Sequence, residues 1–274
     1  MTRLQRIFTS LVILTGVAMQ LVTTSVVHAQ PEPLTIAAAN SLRDAFRKLL
    51  PLFEAQHKEI TVKVIYGPSQ TLRKQIEEGA PVDVYLPSLF EEIDQLEQKH
   101  LVLEGTKRSY AATSLVLITA TALPAPVRSV QDLHTVPVRR IAIGDPKTSS
   151  VGKVALQFLK HSKLDAQLKS QYVYGQHSRA VLDLVANGEA EVGVVYQTDA
   201  VGHSNVRILD TASPDSHNPV RYGVATAWTA KNISGAKDFT EFLLSPEVQE
   251  QLKQFGFNQS SSDVSLAQRK EVKP

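Results

Sequence analysis

The chain has 274 residues, 43% of them apolar and 20% charged, and it contains no cysteine. That length and apolar content can bury one large core or two smaller ones, which excludes general disorder and a small disulfide-stapled fold. The formal charge is +2; the first 29 residues hold two arginines and no acid, so 2 − 2 leaves the remainder near zero and gives nucleic acid no electrostatic footing as a partner.

Residues 1–29 read as a cleaved signal peptide and predict a periplasmic protein. Arg3 and Arg6 precede an apolar run at 11–22, and Val27-His28-Ala29 ends the segment in the small-x-small style of a cleavage site. The apolar run is shorter than the roughly 20 residues that a membrane span needs, and no cysteine follows to carry a lipid.

Residues 34–38 (LTIAA) predict a first strand, and Ala39-Asn40-Ser41 turns into a helix with Leu42, Ala45, Phe46, Leu49 and Leu50 at helical spacing. Ser41 is the natural N-cap of that helix, with Asp44 three residues on, close to a capping-box pattern. Residues 61–66 (TVKVIY) alternate as a strand does, Gly67-Pro68 breaks it, and Ser69 opens a helix that Gly79 ends. Strand 82–86 and helix 89–99 follow, so the first hundred residues read βαβαβα. Such alternation implies a parallel sheet with helices on its faces and a ligand at the carboxyl ends of the strands.

The apolar run 114–119 is a further strand, and the proline-bearing stretch 123–137 reads as a surface excursion and as the passage between two lobes. Strand 140–143, the turn Gly144-Asp145-Pro146 and a helix opened by Thr148-Ser149-Ser150 repeat the earlier unit, and strand 172–174 with Ser178 repeats it again. Strands 192–196 and 206–209 come next. Residues 222–228 return the chain to the first lobe, and helices at 238–244 and 246–255 close it, the last ended by Gly256. Residues 258–274 are polar and aperiodic and are expected to be a disordered tail. No internal repeat emerges.

Ser41, Ser69, Ser150 and Ser178 thus each begin a helix after a strand. One such serine is an ordinary cap. Several on parallel units converge only if two sheets face each other across a cleft, where free backbone N–H groups and hydroxyls would hold an oxyanion. Arg73, Lys74, Lys153 and Arg179 near these starts are either solvated surface charge or cations that steer an anion inward. The eight histidines (His28, His57, His100, His134, His161, His177, His203 and His217) show no metal-ligand spacing and read as surface residues. A serine hydrolase built on Ser69 has little to stand on, because Thr71 replaces the closing glycine of a nucleophile elbow. Neither a Walker loop nor a dinucleotide fingerprint occurs, so no cofactor is expected.

Taken together, Ala38-Ala39-Asn40-Ser41-Leu42, Ser69-Gln70-Thr71-Leu72, Gly79-Ala80-Pro81-Val82-Asp83-Val84, Gly144-Asp145-Pro146 and Gly193-Val194-Val195-Tyr196 with Asp199-Ala200 resemble the periplasmic molybdate-binding proteins of ABC importers. The resemblance covers residues 34–257. It implies a non-enzymatic α/β protein with a two-lobed type II periplasmic binding fold, each lobe a mainly parallel sheet flanked by helices. Lobe 1 would span 33–113 plus 222–257, and lobe 2 would span 114–221. A molybdate or tungstate oxyanion would sit in the interlobe cleft with no direct ligand to the metal. Ser41 and Ser69 would give hydroxyls and backbone N–H groups, Val151 and Ser178 backbone N–H groups, and Tyr196 its phenol. The implied partner is the membrane permease of an ABC importer, served by a monomer. Ser149-Ser150-Val151-Gly152 stands where the family usually has Val-Pro-Ala-Gly, an apolar residue is common at the place of Ser178, and Gly67-Pro68 and Pro87-Ser88 are atypical. Those departures leave molybdate against tungstate open, and another small anion (sulfate, a phosphonate or a carboxylate) remains the alternative ligand.

Overall fold

The computed structural model describes residues 33–122 and 126–259. The expected signal peptide, and the expected tail from residue 260 onward, lie outside the described residues. In chain order, β1 (Leu34–Ala39) enters a 3-10 turn (Asn40–Leu42) and α1 (Arg43–Gln56), β2 (Val62–Gly67) enters α2 (Ser69–Glu77), and β3 (Val84–Leu86) precedes α3 (Glu91–Gln98). Then come β4 (Arg108–Thr113), β5 (Leu115–Ala120), β6 (Ile141–Gly144), α4 (Ser150–His161), α5 (Asp165–Leu168), β7 (Tyr172–Gly175), α6 (Ser178–Ala186) and β8 (Val192–Tyr196). The described chain closes with α7 (Gln197–Ala200), β9 (Val206–Thr211), β10 (Val220–Thr226), α8 (Ile233–Leu244) and α9 (Pro246–Lys253).

The strands form two five-stranded sheets, in the orders β2-β1-β3-β10-β4 and β7-β6-β8-β5-β9. In the first, β1 pairs parallel with β2 and β3, and β10 runs antiparallel to β3 and β4. In the second, β6 pairs parallel with β7 and β8, and β5 runs antiparallel to β8 and β9. The two sheets therefore have the same topology, although no sequence repeat announces it. Both are mixed, each with one strand reversed.

Alternation along β1 explains the layering. Leu34, Ile36 and Ala38 belong to the main apolar cluster with α1 and α8, whereas Ala37 faces Leu72, Ile76 and Ile93 of α2 and α3. In the second sheet, Ile141 and Ile143 pack with Val154, Phe158 and Leu159 of α4, and Ala142 with Val181, Leu182 and Val185 of α6. Phe53 of α1 meets Phe239 and Phe242 of α8 edge-on, at 5.1 and 5.3 Å between ring centroids. Buried Asp83 ties the returning segment down: its Oδ2 accepts the Thr35 N–H at 2.7 Å and its Oδ1 accepts those of Lys231 and Asn232 at 2.7 and 3.0 Å.

The chain leaves the first sheet at Thr113 and enters the second at Leu115, so the passage between sheets runs through Ser114 and not through the stretch 123–137. β4 escapes sequence reading because Tyr110 and Thr113 are the strand-favouring residues of RSYAAT and its two alanines fit a helix as well; its pairing with β10 makes it a strand. Asn258, expected in the tail, exchanges two backbone hydrogen bonds with Ala112, at 2.8 and 2.7 Å.

Candidate functional site

The carboxyl ends of β1, β2 and β3 and those of β6, β7 and β8 meet at one cavity. It is small, about 10 Å³, and is lined by residues of both sheets. Ser41, Ser69, Val151, Ser178 and Tyr196 all line it, and each is at most 6% exposed. The structure thus brings together in one cavity wall all five candidate residues that the sequence put forward. Asn40, Ser88, Ser149, Ser150 and His177 join them in the wall.

The serines are not the helix caps that spacing suggests. Ser41 lies inside the 3-10 turn, and Ser69, Ser150 and Ser178 are each the first residue of their helix, one position beyond the cap. Their hydroxyls are therefore not taken up in capping. Asp44 forms no capping box with Ser41 either; it pairs with Arg47 and Arg179. A true side-chain cap exists at α6, where His177 Nδ1 accepts the Ala180 N–H at 3.1 Å. Burial holds the His177 imidazole below its ordinary value, against the pull of Asp183, so the ring is neutral and can accept. Its half-buried place in the cavity wall corrects the reading of His177 as a surface residue.

The backbone supplies further donors. The helical ladder starts with Leu72 N–H to Pro68 in α2, Lys153 N–H to Ser149 in α4 and Val181 N–H to His177 in α6. The N–H groups of Ser69, Val151 and Ser178 precede those bonds and have no carbonyl one turn back. The fit of β6 to α4 is tight: a Cβ on Gly152 would lie 2.2 Å from the Gly144 carbonyl oxygen, and one on Gly144 would lie 2.6 Å from the Gly152 nitrogen. Glycine at both places lets the first turn of α4 abut the strand end, which sets the Ser150 and Val151 N–H groups at the cavity.

Hydroxyl chains complete the donor set. The Tyr222 phenol donates to Ser41 Oγ at 2.8 Å and lies 3.3 Å from the Thr198 hydroxyl. Ser41 Oγ, having accepted, keeps its own O–H for the cavity. Ser69 Oγ likewise accepts the Ser88 N–H at 3.1 Å. Ser88 Oγ lies 3.2 Å from Ser69 Oγ and 3.3 Å from the Tyr196 phenol, joining donors of the two sheets. Burial pushes the Tyr196 and Tyr222 phenols up, so both stay protonated and able to donate. Among the described residues the wall holds no carboxylate and no cation. Sequence reasoning missed Ser88, whose one available sign is that it follows β3 as the other serines follow their strands.

Three of the four basic residues singled out near the helix starts are engaged in ion pairs. Arg73 pairs with Glu77 and Glu92, Lys153 with Glu91 at 2.5 Å, and Arg179 with Asp44 at 2.5 Å. Lys153 and Arg179 belong to helices of the second sheet, while Glu91 and Asp44 belong to helices of the first. These two cations join the two halves, a pairing that the sequence did not announce. Ser69, for its part, is bonded to Ser88 and not to a histidine base.

The model of the bacterial extracellular solute-binding protein family matches residues 34–258. The chain belongs to that family. The solute-binding protein is 31% identical, over 82% of its length and 85% of the relative, to a putative ABC transporter substrate-binding lipoprotein YvgL of Bacillus subtilis. It is 30% identical, over 82% of its length and 88% of the relative, to the molybdate-binding protein ModA of Escherichia coli. Among solved structures it superposes on the substrate binding domain of a putative molybdenum ABC transporter from Clostridium difficile with a TM-score of 0.66 and 30% identity, covering 84% of this chain and 99% of that one. A sulfate-binding protein of Synechococcus elongatus also matches, at 24% identity over 83% of this chain and 73% of the relative. The resemblance read from the motifs is thus met by family and fold. The role is capture of a solute outside the cytoplasm for an ABC importer, with a membrane permease as partner.

Proposed function

We propose that this solute-binding protein captures molybdate or tungstate as the fully ionised dianion in the serine-lined cavity and delivers it to the permease of an ABC importer. The observation that carries the reading is a small buried cavity walled by hydroxyls and first-turn N–H groups from both sheets, with no carboxylate. Such a wall offers donors to a dianion and no carboxylate to take up an acid proton. A protonated phosphate would bring an O–H without a dedicated acceptor, and an unpaired buried donor costs roughly 1–3 kcal/mol. Sulfate carries the same charge, so it has to be rejected by size. Ser41, Ser69 and Tyr196 act through hydroxyls, and Val151 and Ser178 through backbone N–H groups. The protein works as a periplasmic monomer after removal of residues 1–29, closing residues 33–113 and 222–257 against 114–221. The relatives named for molybdate favour this ligand over the alternative small anions.

Titration calorimetry with molybdate, tungstate, sulfate and phosphate tests the assignment. Molybdate and tungstate are expected to bind at least roughly 100-fold more tightly than sulfate or phosphate, a gap of about 2.8 kcal/mol. Equal affinities across the four anions, or a preference for sulfate, would overturn it.

A further inference from the structure

Ser150 begins α4 in the cavity wall, is 3% exposed, and its Oγ has no hydrogen-bond partner in the protein. Among the described residues the other buried side-chain atoms without a partner, on Tyr110, Gln171, Asp199 and His203, belong to residues outside the wall of this cavity. Burying a hydroxyl unpaired is unfavourable, so the free protein would be better served by alanine, which is also a stronger helix former. The hydroxyl is uncompensated where the N–H of the next residue, Val151, is also without a carbonyl one turn back. The neighbouring wall serine, Ser88, differs: its oxygen already has Ser69 and Tyr196 within reach.

We infer that the Ser150 hydroxyl is a direct donor to the bound oxyanion, satisfied only when the cavity is filled. The inference rests on the proposed anion-binding role of the cavity and adds a side-chain contact to a segment expected to act through its backbone. It also accounts for the departure at Ser149-Ser150, since a rotatable hydroxyl stands where the family's usual residue, proline, offers no side-chain donor.

The test compares the full-length exported protein with Ser150→Ala and with the near-isosteric Ser150→Cys, using molybdate and sulfate as probes. Each protein is titrated by calorimetry, and its thermal unfolding is followed without anion. With whichever probe the unaltered chain binds, both variants are expected to bind about ten-fold more weakly or worse, while unfolding of the anion-free Ser150→Ala protein stays in place or moves to higher temperature. Unchanged affinity in both variants overturns the Ser150 assignment and leaves the anion-binding reading intact. Weaker binding with a parallel loss of anion-free stability also overturns it, because a structural role moves both together. An unaltered chain that binds neither anion overturns the reading of the cavity, and the Ser150 assignment with it.

Discussion

Asp199 shows how much the surroundings of a single side chain decide. It lies three residues after Tyr196, is 2% exposed, and its Oδ2 has no partner. Burial lifts its carboxyl from 3.8 to about 7; the Ser178 hydroxyl and Arg179 oppose the lift, and Asp44 and Asp183 add to it. The folded chain therefore holds a proton that the unfolded chain releases between those values, so this residue's contribution to stability falls as pH rises from about 4 to 7 and is level above that. Asp199→Asn, which fixes the neutral state, is expected to match the unaltered chain near pH 4 and to exceed it by roughly 4 kcal/mol above pH 7. Chemical denaturation of both proteins across that range checks this, and a gap that does not change with pH contradicts it. His177 titrates in both proteins and cancels from the difference.

At the scale of elements, the strand-turn-helix units were legible because each sets a hydroxyl between a strand-like run and a period-3.6 run, with a Gly or Pro break at most of them, as at β2 and α2. The position of each serine within its helix was not legible, since Ser69, Ser150 and Ser178 look like caps until the backbone shows them one residue further in. Tertiary placement was hidden as well: Ser88 and His177 reach the cavity, and β4 becomes a strand, through partners far away in sequence. The same holds for the pairs that join helices of opposite sheets, Lys153 of α4 with Glu91 of α3 and Arg179 of α6 with Asp44 of α1. Both are about one-third exposed, and such pairs contribute roughly 0.2–1 kcal/mol. Lys153→Ala is therefore expected to speed molybdate release up to about five-fold at low salt, with little change in the association rate. Stopped-flow fluorescence reports both rates. A slower association with unchanged release would return Lys153 to the steering role.

The whole molecule sets two sheets of the same mixed topology so that six parallel strand ends address one cavity, and the charge that might otherwise line it is neutralised in pairs outside. This arrangement answers the question left open by length and composition, one core or two: the main apolar cluster runs without a break from β1 and α1 to β6 and α4, with smaller clusters under α2 and α6. The central claim is that this cavity holds a tetrahedral metal oxyanion. A crystal grown with tungstate and measured at the tungsten absorption edge tests it most directly. The predicted result is a single anomalous peak bounded by Ser41, Ser69, Val151, Ser178 and Tyr196, its oxygens within hydrogen-bonding distance of their hydroxyl and N–H groups. A cavity without tungsten at saturating tungstate, or a peak elsewhere on the protein, would contradict it.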